Sequence, residues 1–295
     1  MKDTFTSFHP IVNFLYFLVV IVSSMFFMHP VFLGISLLCG IAYSIRLNGM
    51  KAVKFNILYM LPILLLFAVM NPVFNHAGTT IIVYVNDNPI TVESIVYGFA
   101  SATMFVSVII WFSCYNAVMT SDKFIYLFGR VIPALSLVLS MVLRLVPKLK
   151  AQIRVISNAQ KCVGRDVSNG NMLQRARNGL KIISILTTWA LENAIETADS
   201  MKSRGYGLKG RTSFSNFRFD SRDGIALIWI VALSIVLLFG AIIGENNIVY
   251  FPAIIMNPIS GFSFLVYSAY GGLCLLPLIF NLLEDIKWAR LKSKI

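Results

Sequence analysis

Two short stretches combine a glycine with arginine and lysine, and they have the most distinctive chemistry in the sequence. Lys161 and Arg165 flank one glycine, and Lys202 and Arg204 come just before Gly205. Arginine keeps its charge and presents a planar fork that suits a carboxylate, while glycine lets a partner surface approach the backbone closely. Such residues can bind an acidic protein surface. Ordinary capping, in which a basic last turn favours the helix dipole, is the alternative explanation.

Other kinds of chemistry find little support in the sequence. Its histidines and cysteines are His9, His29 and His76, and Cys39, Cys114, Cys162 and Cys274. They share no spacing typical of a metal site or a disulfide, and no phosphate-binding GxxxxGK[ST] motif occurs. We therefore expect no metal, no cofactor and no catalysis. An intramembrane hydrolase or lipid transferase stays the alternative function, and it would need a buried nucleophile or paired acids.

The composition is that of a membrane protein. Hydrophobic residues make up 57% of the 295 residues and charged residues 13%, with a mean hydropathy of +0.77, whereas soluble domains carry about 25% charged residues. Apolar runs long enough for a bilayer about 30 Å thick lie at residues 11–28, 31–45, 57–74, 95–119, 224–243 and 262–283. We predict an all-α, polytopic membrane protein with about six transmembrane helices and long cytoplasmic helices.

Charge predicts how the chain lies in the membrane. All 25 lysines and arginines fall in the N-terminus, the loop after the second span, the segment between the fourth and fifth spans, and the C-terminal tail. Positive residues stay in the cytoplasm, so we expect a multi-pass protein of the cell membrane with both termini inside. Because anionic lipids on that side account for much of the net charge of +12, we expect the bilayer as a partner and no nucleic acid.

The segment between the fourth and fifth spans is too long for a connecting loop. We divide the chain into a transmembrane region (1–119), a cytoplasmic helical domain (120–222), and a second transmembrane region with a basic tail (223–295). Within the middle domain, Pro147 interrupts the helical pattern. A first amphipathic helix is predicted from Lys148 to Gly164, and a second over residues 172–204, with Gly205 as its left-handed cap.

The same domain resembles a known family. Residues 187–213, TTWALENAIETADSMKSRGYGLKGRTS, resemble the signature of the transmembrane T component of energy-coupling factor transporters, a family that includes cobalt-transport permeases. Residues 143–160, LRLVPKLKAQIRVISNAQ, resemble its first coupling region, and FNHAGTT (74–80) fits its N-terminal half. The resemblance implies a prokaryotic importer scaffold between two ABC-type ATPases and a small substrate-binding membrane subunit. The cargo would be a vitamin or a transition-metal ion.

The resemblance also implies ATPase-coupling residues at both helix ends. They are Ser203, Arg204 and Gly205 at the second end, and Lys161, Cys162, Val163, Gly164 and Arg165 at the first. The second end matches the family's x-Arg-Gly motif, whereas Val163 stands where the first motif has arginine. Either Lys161 or Arg165 would then supply the charge. We hypothesise that the two ATPase contacts are unequal and that the contact made by Arg204 is the stronger.

Overall fold

A computed structural model of the chain describes residues 3–85, 88–129, 132–206, 208, 217–258 and 260–292. The helices are α1 (Pro10–Phe26), α2 (Pro30–Asn48), α3 (Met50–Phe55), α4 (Leu61–Phe74), α5 (Val92–Val118), α6 (Ser121–Gly129), α7 (Pro133–Cys162), α8 (Met172–Ser203), α9 (Ser221–Ile243) and α10 (Gly261–Lys292). Two antiparallel pairs of short strands are β1 (Ile81–Val85) with β2 (Asn88–Thr91), and β3 (Ile248–Val249) with β4 (Ile255–Met256).

Helices lie at all six predicted spans, and the all-α membrane class is confirmed. Within the described residues, five helical segments are long and apolar enough to cross a membrane: Pro30–Asn48, Met50–Phe74, Val92–Val118, Ser221–Ile243 and Gly261–Lys292. The sixth, α1, is apolar but has only 17 residues. At 1.5 Å per residue it reaches about 26 Å, slightly less than the hydrocarbon thickness of about 30 Å.

The chain forms two compact units. One, the bundle unit, contains Met1–Lys123 and Phe217–Ile295, and the other, the two-helix unit, contains Phe124–Asn216. The candidate coupling residues of both helix ends belong to the two-helix unit.

Paired polar groups lie in the core of the bundle unit. The Trp111 indole N–H donates to the Ser36 hydroxyl at 3.0 Å, and the Ser24 hydroxyl lies 2.7 Å from Ser36 and 3.0 Å from the Tyr270 hydroxyl. A Cβ at Gly40 would approach the Trp111 ring to 3.3 Å, so a glycine lets this ring pack against α2. Internal pairing is what a membrane core requires, because lipid offers no hydrogen-bond partner.

The N-terminal segment closes one end of the bundle unit. The Thr4 N–H donates to the Asn281 side-chain oxygen at 2.7 Å, and Asn281 in turn donates to Asp3. The Asp3 carboxylate also accepts from the Tyr43 hydroxyl at 3.2 Å. These contacts join the first residues of the chain to α2 and α10.

Lys123 is a buried cation at the same end of the unit. Its side chain is 5% exposed, and its ammonium donates to the carbonyls of Thr6 at 2.5 Å and Val118 at 3.1 Å. With its amide oriented to satisfy both neighbours, Asn13 accepts from the same ammonium at 2.9 Å. Burial lowers the pKa of Lys123 to about 8, although the negative charge of Asp3 opposes this shift. The position of Lys123 therefore depends on the N-terminal segment.

The two-helix unit corrects one prediction from the sequence. Pro147 was predicted to interrupt the helical pattern, but α7 runs without a break from Pro133 to Cys162. A proline removes one N–H from the ladder and costs about 3 kcal/mol in a helix interior. Pro147 and Leu143, whose carbonyl loses its donor, both lie on an exposed stretch where solvent can replace that donor. One lost bond does not end a helix of 30 residues.

Contacts between α7 and α8 fix the two-helix unit. The Lys148 ammonium donates to the Asn193 side-chain oxygen at 2.5 Å and lies 5.4 Å from the centre of the Trp189 ring. Ile156 on α7 and Ile182 on α8 are each only 7% exposed. The pairing of the two helices therefore buries these side chains. The same packing fixes the positions of the helix ends within the unit.

Candidate coupling ends of α7 and α8

The end of α7 has a well-defined cap. Gly164 has φ +73°, its N–H donates to the Lys161 carbonyl at 3.0 Å, and the Arg165 N–H donates to the Gln160 carbonyl at 2.9 Å. This pair of bonds is the Schellman motif, which satisfies carbonyls left open at a helix end. A Cβ at Gly164 would meet no atom within 4 Å. Glycine is therefore favoured here by its left-handed backbone and not by crowding.

The end of α8 repeats this cap. Gly205 has φ +74°, its N–H donates to the Lys202 carbonyl at 3.0 Å, and the Tyr206 N–H donates to the Met201 carbonyl at 3.1 Å. Arg204, with φ −83° and ψ 6°, closes the helix just as Val163 does at the end of α7, with φ −90° and ψ 13°.

Aligning the two glycines relates the residues of one end to those of the other. Lys161 corresponds to Lys202 and Cys162 to Ser203, and both of these pairs are similar. The charge differs at the next positions, because Val163 corresponds to Arg204, and Arg165 corresponds to Tyr206. The two ends thus share a backbone geometry but place their arginines two residues apart.

The two ends do not combine into one site. Gly164 lies beside the first turns of α8, whereas Gly205 follows the last turn of the same helix. Since α8 has 32 residues, it is about 48 Å long at 1.5 Å per residue. The two ends are therefore too far apart to form one site.

Lys161 is engaged within the chain. Its ammonium lies 3.4 Å from the carboxylate of Asp166, which also accepts from the Ser168 N–H at 3.0 Å. The hydrogen bond from Ser168, together with the charge of Lys161, lowers the pKa of Asp166 to about 2. The carboxylate is therefore ionised at neutral pH and holds Lys161 beside the turn.

Arg165 and Arg204 are the exposed arginines of the two ends. Neither side chain forms a hydrogen bond or an ion pair with the residues that the structure describes. Val163, in contrast, presents an apolar side chain that is 68% exposed. Both guanidinium groups are therefore available to a carboxylate.

Two further cations, which the sequence reasoning missed, lie at the first end. Arg177 and Lys181 of α8 line a cavity of about 840 Å³ together with Lys161, Arg165 and Asp166. Their spacing of four residues places them on one face of α8, and that spacing was the available sequence signal. Their proximity to Arg165 depends on the turn between the helices, which periodicity does not specify.

The histidines make separate backbone contacts, and three of the four cysteines are buried. His9 and His29 cap α1 and α2 by accepting from the N–H groups of Ile11 at 3.3 Å and Val31 at 3.4 Å, and His76 contacts the backbone near β2. The cysteines, of which only Cys162 is exposed, are all free thiols in the structure. No group of three or more histidine, cysteine, aspartate or glutamate side chains that could hold a metal occurs in the described part of the chain.

Comparison with known proteins places these features in a family. The family model for CbiQ, described as cobalt transport protein, matches residues 6–214. Curated relatives include the energy-coupling factor transporter transmembrane protein EcfT of Lactococcus lactis subsp. cremoris (strain MG1363), which is 35% identical over 105 residues. The EcfT proteins of Streptococcus thermophilus (strain ATCC BAA-250 / LMG 18311) and Staphylococcus aureus (strain 04-02981) are 36% identical over 106 residues and 32% identical over 112 residues.

These matches to the relatives are partial. They cover 35%, 36% and 38% of this chain. The chain spans about two fifths of the length of these relatives, namely 40%, 40% and 42%. The family model, in contrast, extends through most of the chain, from the N-terminal segment through both helix ends. The chain therefore belongs to the CbiQ cobalt transport protein family.

Proposed function

We propose that this chain is the transmembrane T component of an energy-coupling factor importer. It would join two ABC-type ATPases to a small membrane subunit that binds the substrate. Family membership and the EcfT relatives support this proposal. The observation that carries it is the pair of long helices whose ends share one glycine cap, with an exposed arginine at Arg204 on one end and at Arg165 on the other.

The proposal assigns an orientation to the chain. The two-helix unit and both termini lie in the cytoplasm of a prokaryotic cell, because all lysines and arginines fall in segments on that side. The apolar helices of the bundle unit cross the cell membrane. The ATPases, which are cytoplasmic, then meet the helix ends directly.

The proposal also divides the chemistry among the subunits. The ATPases hydrolyse ATP, the small membrane subunit binds a vitamin or a transition-metal ion, and this chain is not catalytic. Its task is to transmit the closure of the ATPases to the membrane. Removing one member of a desolvated charge pair costs about 2–5 kcal/mol. An arginine contact of this kind is therefore strong enough to carry a rigid-body movement.

Charge reversal at Arg204 tests the proposal. The chain is expressed with its candidate ATPase pair and substrate-binding subunit, and wild type is compared with Arg204→Glu. We expect the variant to insert normally but to recover less ATPase and to lose substrate uptake. Arg218→Glu is the matched control, because Arg218 is also an exposed arginine but lies in the bundle unit, outside both stretches that resemble the coupling regions. It should retain both properties.

The results separate coupling from capping. If Arg204→Glu keeps full ATPase recovery and uptake, the motif at the end of α8 is only a helix cap, and the coupling role is wrong. If Arg218→Glu is as damaging as Arg204→Glu, the effect comes from the overall charge of the chain and not from the helix end.

A further inference from the structure

We propose that Arg165, supported by Arg177 and Lys181, binds an acidic surface of an ATPase at the end of α7, and that Lys161 does not. This inference rests on the proposed function, because it names the residues that contact the first partner. It resolves the choice that the sequence left open between the two cations beside Gly164.

The shared cap shows why another residue must supply the charge. Val163 occupies the position that Arg204 has at the end of α8, and its side chain is apolar. A valine cannot donate to a carboxylate. Because both ends have the same backbone geometry, we infer that each meets a protein surface of the same acidic kind. At the first end the cation must then come from a different position.

Lys161 already has a partner within the chain, although its side chain is 64% exposed. Its ammonium pairs with Asp166 at 3.4 Å, and Asp166 is held in place by the N–H of Ser168 at 3.0 Å. To contact a partner, Lys161 would have to give up this ion pair. The pair instead stabilises the turn that follows α7.

Arg165 is available to bind a partner, and two neighbouring cations support it. Arg165, Arg177 and Lys181 are exposed, line the same cavity of about 840 Å³, and form no side-chain hydrogen bond or ion pair with the described residues. Arg175 differs, because its Nε–H donates to the Val167 carbonyl at 2.9 Å and braces the turn.

The cavity favours a carboxylate-bearing partner. Four cations face a single carboxylate there, so an incoming anion relieves their mutual repulsion. Arginine can bind a carboxylate through two parallel hydrogen bonds, which adds geometric specificity. The partner that fits is therefore an acidic patch on a folded protein, presented to the end of a helix.

The experiment measures the affinity of each ATPase for the purified chain in detergent. Arg165→Gln should weaken the binding of one ATPase about tenfold, and Arg177→Gln with Lys181→Gln should add to that loss. The matched variant is Lys161→Gln with Asp166→Asn, which removes the internal pair while keeping the net charge of the cavity. Its affinity should stay within about twofold of wild type.

Each outcome has a defined meaning. If the Lys161 and Asp166 double variant weakens binding and Arg165→Gln does not, the assignment is overturned. If neither weakens binding while Arg204→Glu still releases an ATPase, the inference fails but the proposed function stands. If Arg204→Glu also has no effect, the proposed function fails with it. If Arg165→Gln abolishes binding to phosphatidylglycerol vesicles but leaves ATPase binding unchanged, the cavity binds a lipid headgroup and the inference is wrong.

Discussion

The buried ammonium of Lys123 predicts a specific dependence of stability on pH. Burial lowers the pKa of Lys123 from 10.5 to about 8 in the folded chain. Between these two values the unfolded chain binds one more proton than the folded chain, so the free energy of unfolding rises with pH. One pKa unit is worth about 1.4 kcal/mol. The expected rise is therefore about 3 kcal/mol between pH 8 and pH 10.5.

Substitution with methionine isolates this contribution. Lys123→Met keeps a long apolar side chain but cannot titrate, so the rise of about 3 kcal/mol should be missing from its pH profile. Unfolding by sodium dodecyl sulfate in mixed micelles, followed by tryptophan fluorescence, gives the free energy at each pH. The difference between the two profiles cancels other groups that titrate in this range.

Two further variants test whether the pH dependence comes from Lys123. Lys54→Met removes an exposed lysine of the same unit, so its profile should keep the wild-type slope. Asp3→Asn removes the charge that partly opposes the fall in the pKa of Lys123, so the rise should begin below pH 8. Parallel profiles for wild type and Lys123→Met would refute the assignment of a buried, destabilised cation at this position.

Glycine substitutions give two further predictions, both measured as changes in the free energy of unfolding. Gly164→Ala and Gly205→Ala should each cost about 1 kcal/mol because of their positive φ. The loss should be larger at Gly205, where a Cβ would lie 3.0 Å from Leu208. Variants as stable as wild type would contradict the two caps. Gly98→Ala should cost about 1–3 kcal/mol, since its Cβ would lie 2.7 Å from a backbone oxygen of α4. Gly34→Ala is the control, because its Cβ meets nothing within 4 Å.

The sequence predicted the elements well wherever the signal is local. Apolar runs located the spans, and the left-handed glycine at the end of α8 was predicted from Gly205 itself. The helix break expected at Pro147 was wrong, because Pro147 and the Leu143 carbonyl lie on an exposed stretch where solvent can replace the lost donor. Periodicity reports which residues share a face, but not whether solvent reaches a carbonyl that has lost its donor.

The details of the candidate site depend on contacts that the sequence does not encode locally. Lys161 and Asp166 lie five residues apart across a turn. Whether they pair depends on the rotamers of both side chains. The approach of Arg177 and Lys181 to Arg165 requires the path of that turn. Charge counting therefore predicted that cations lie at the first helix end, while the choice among them required the three-dimensional arrangement.

The N-terminal segment has a consequence for the order in which the protein assembles. Thr4 hydrogen-bonds to Asn281, 277 residues further along the chain. Thr4 must therefore wait until α10 has been synthesised before it meets this partner. This end of the bundle unit consequently closes late, as a post-insertion step that follows the placement of the earlier helices.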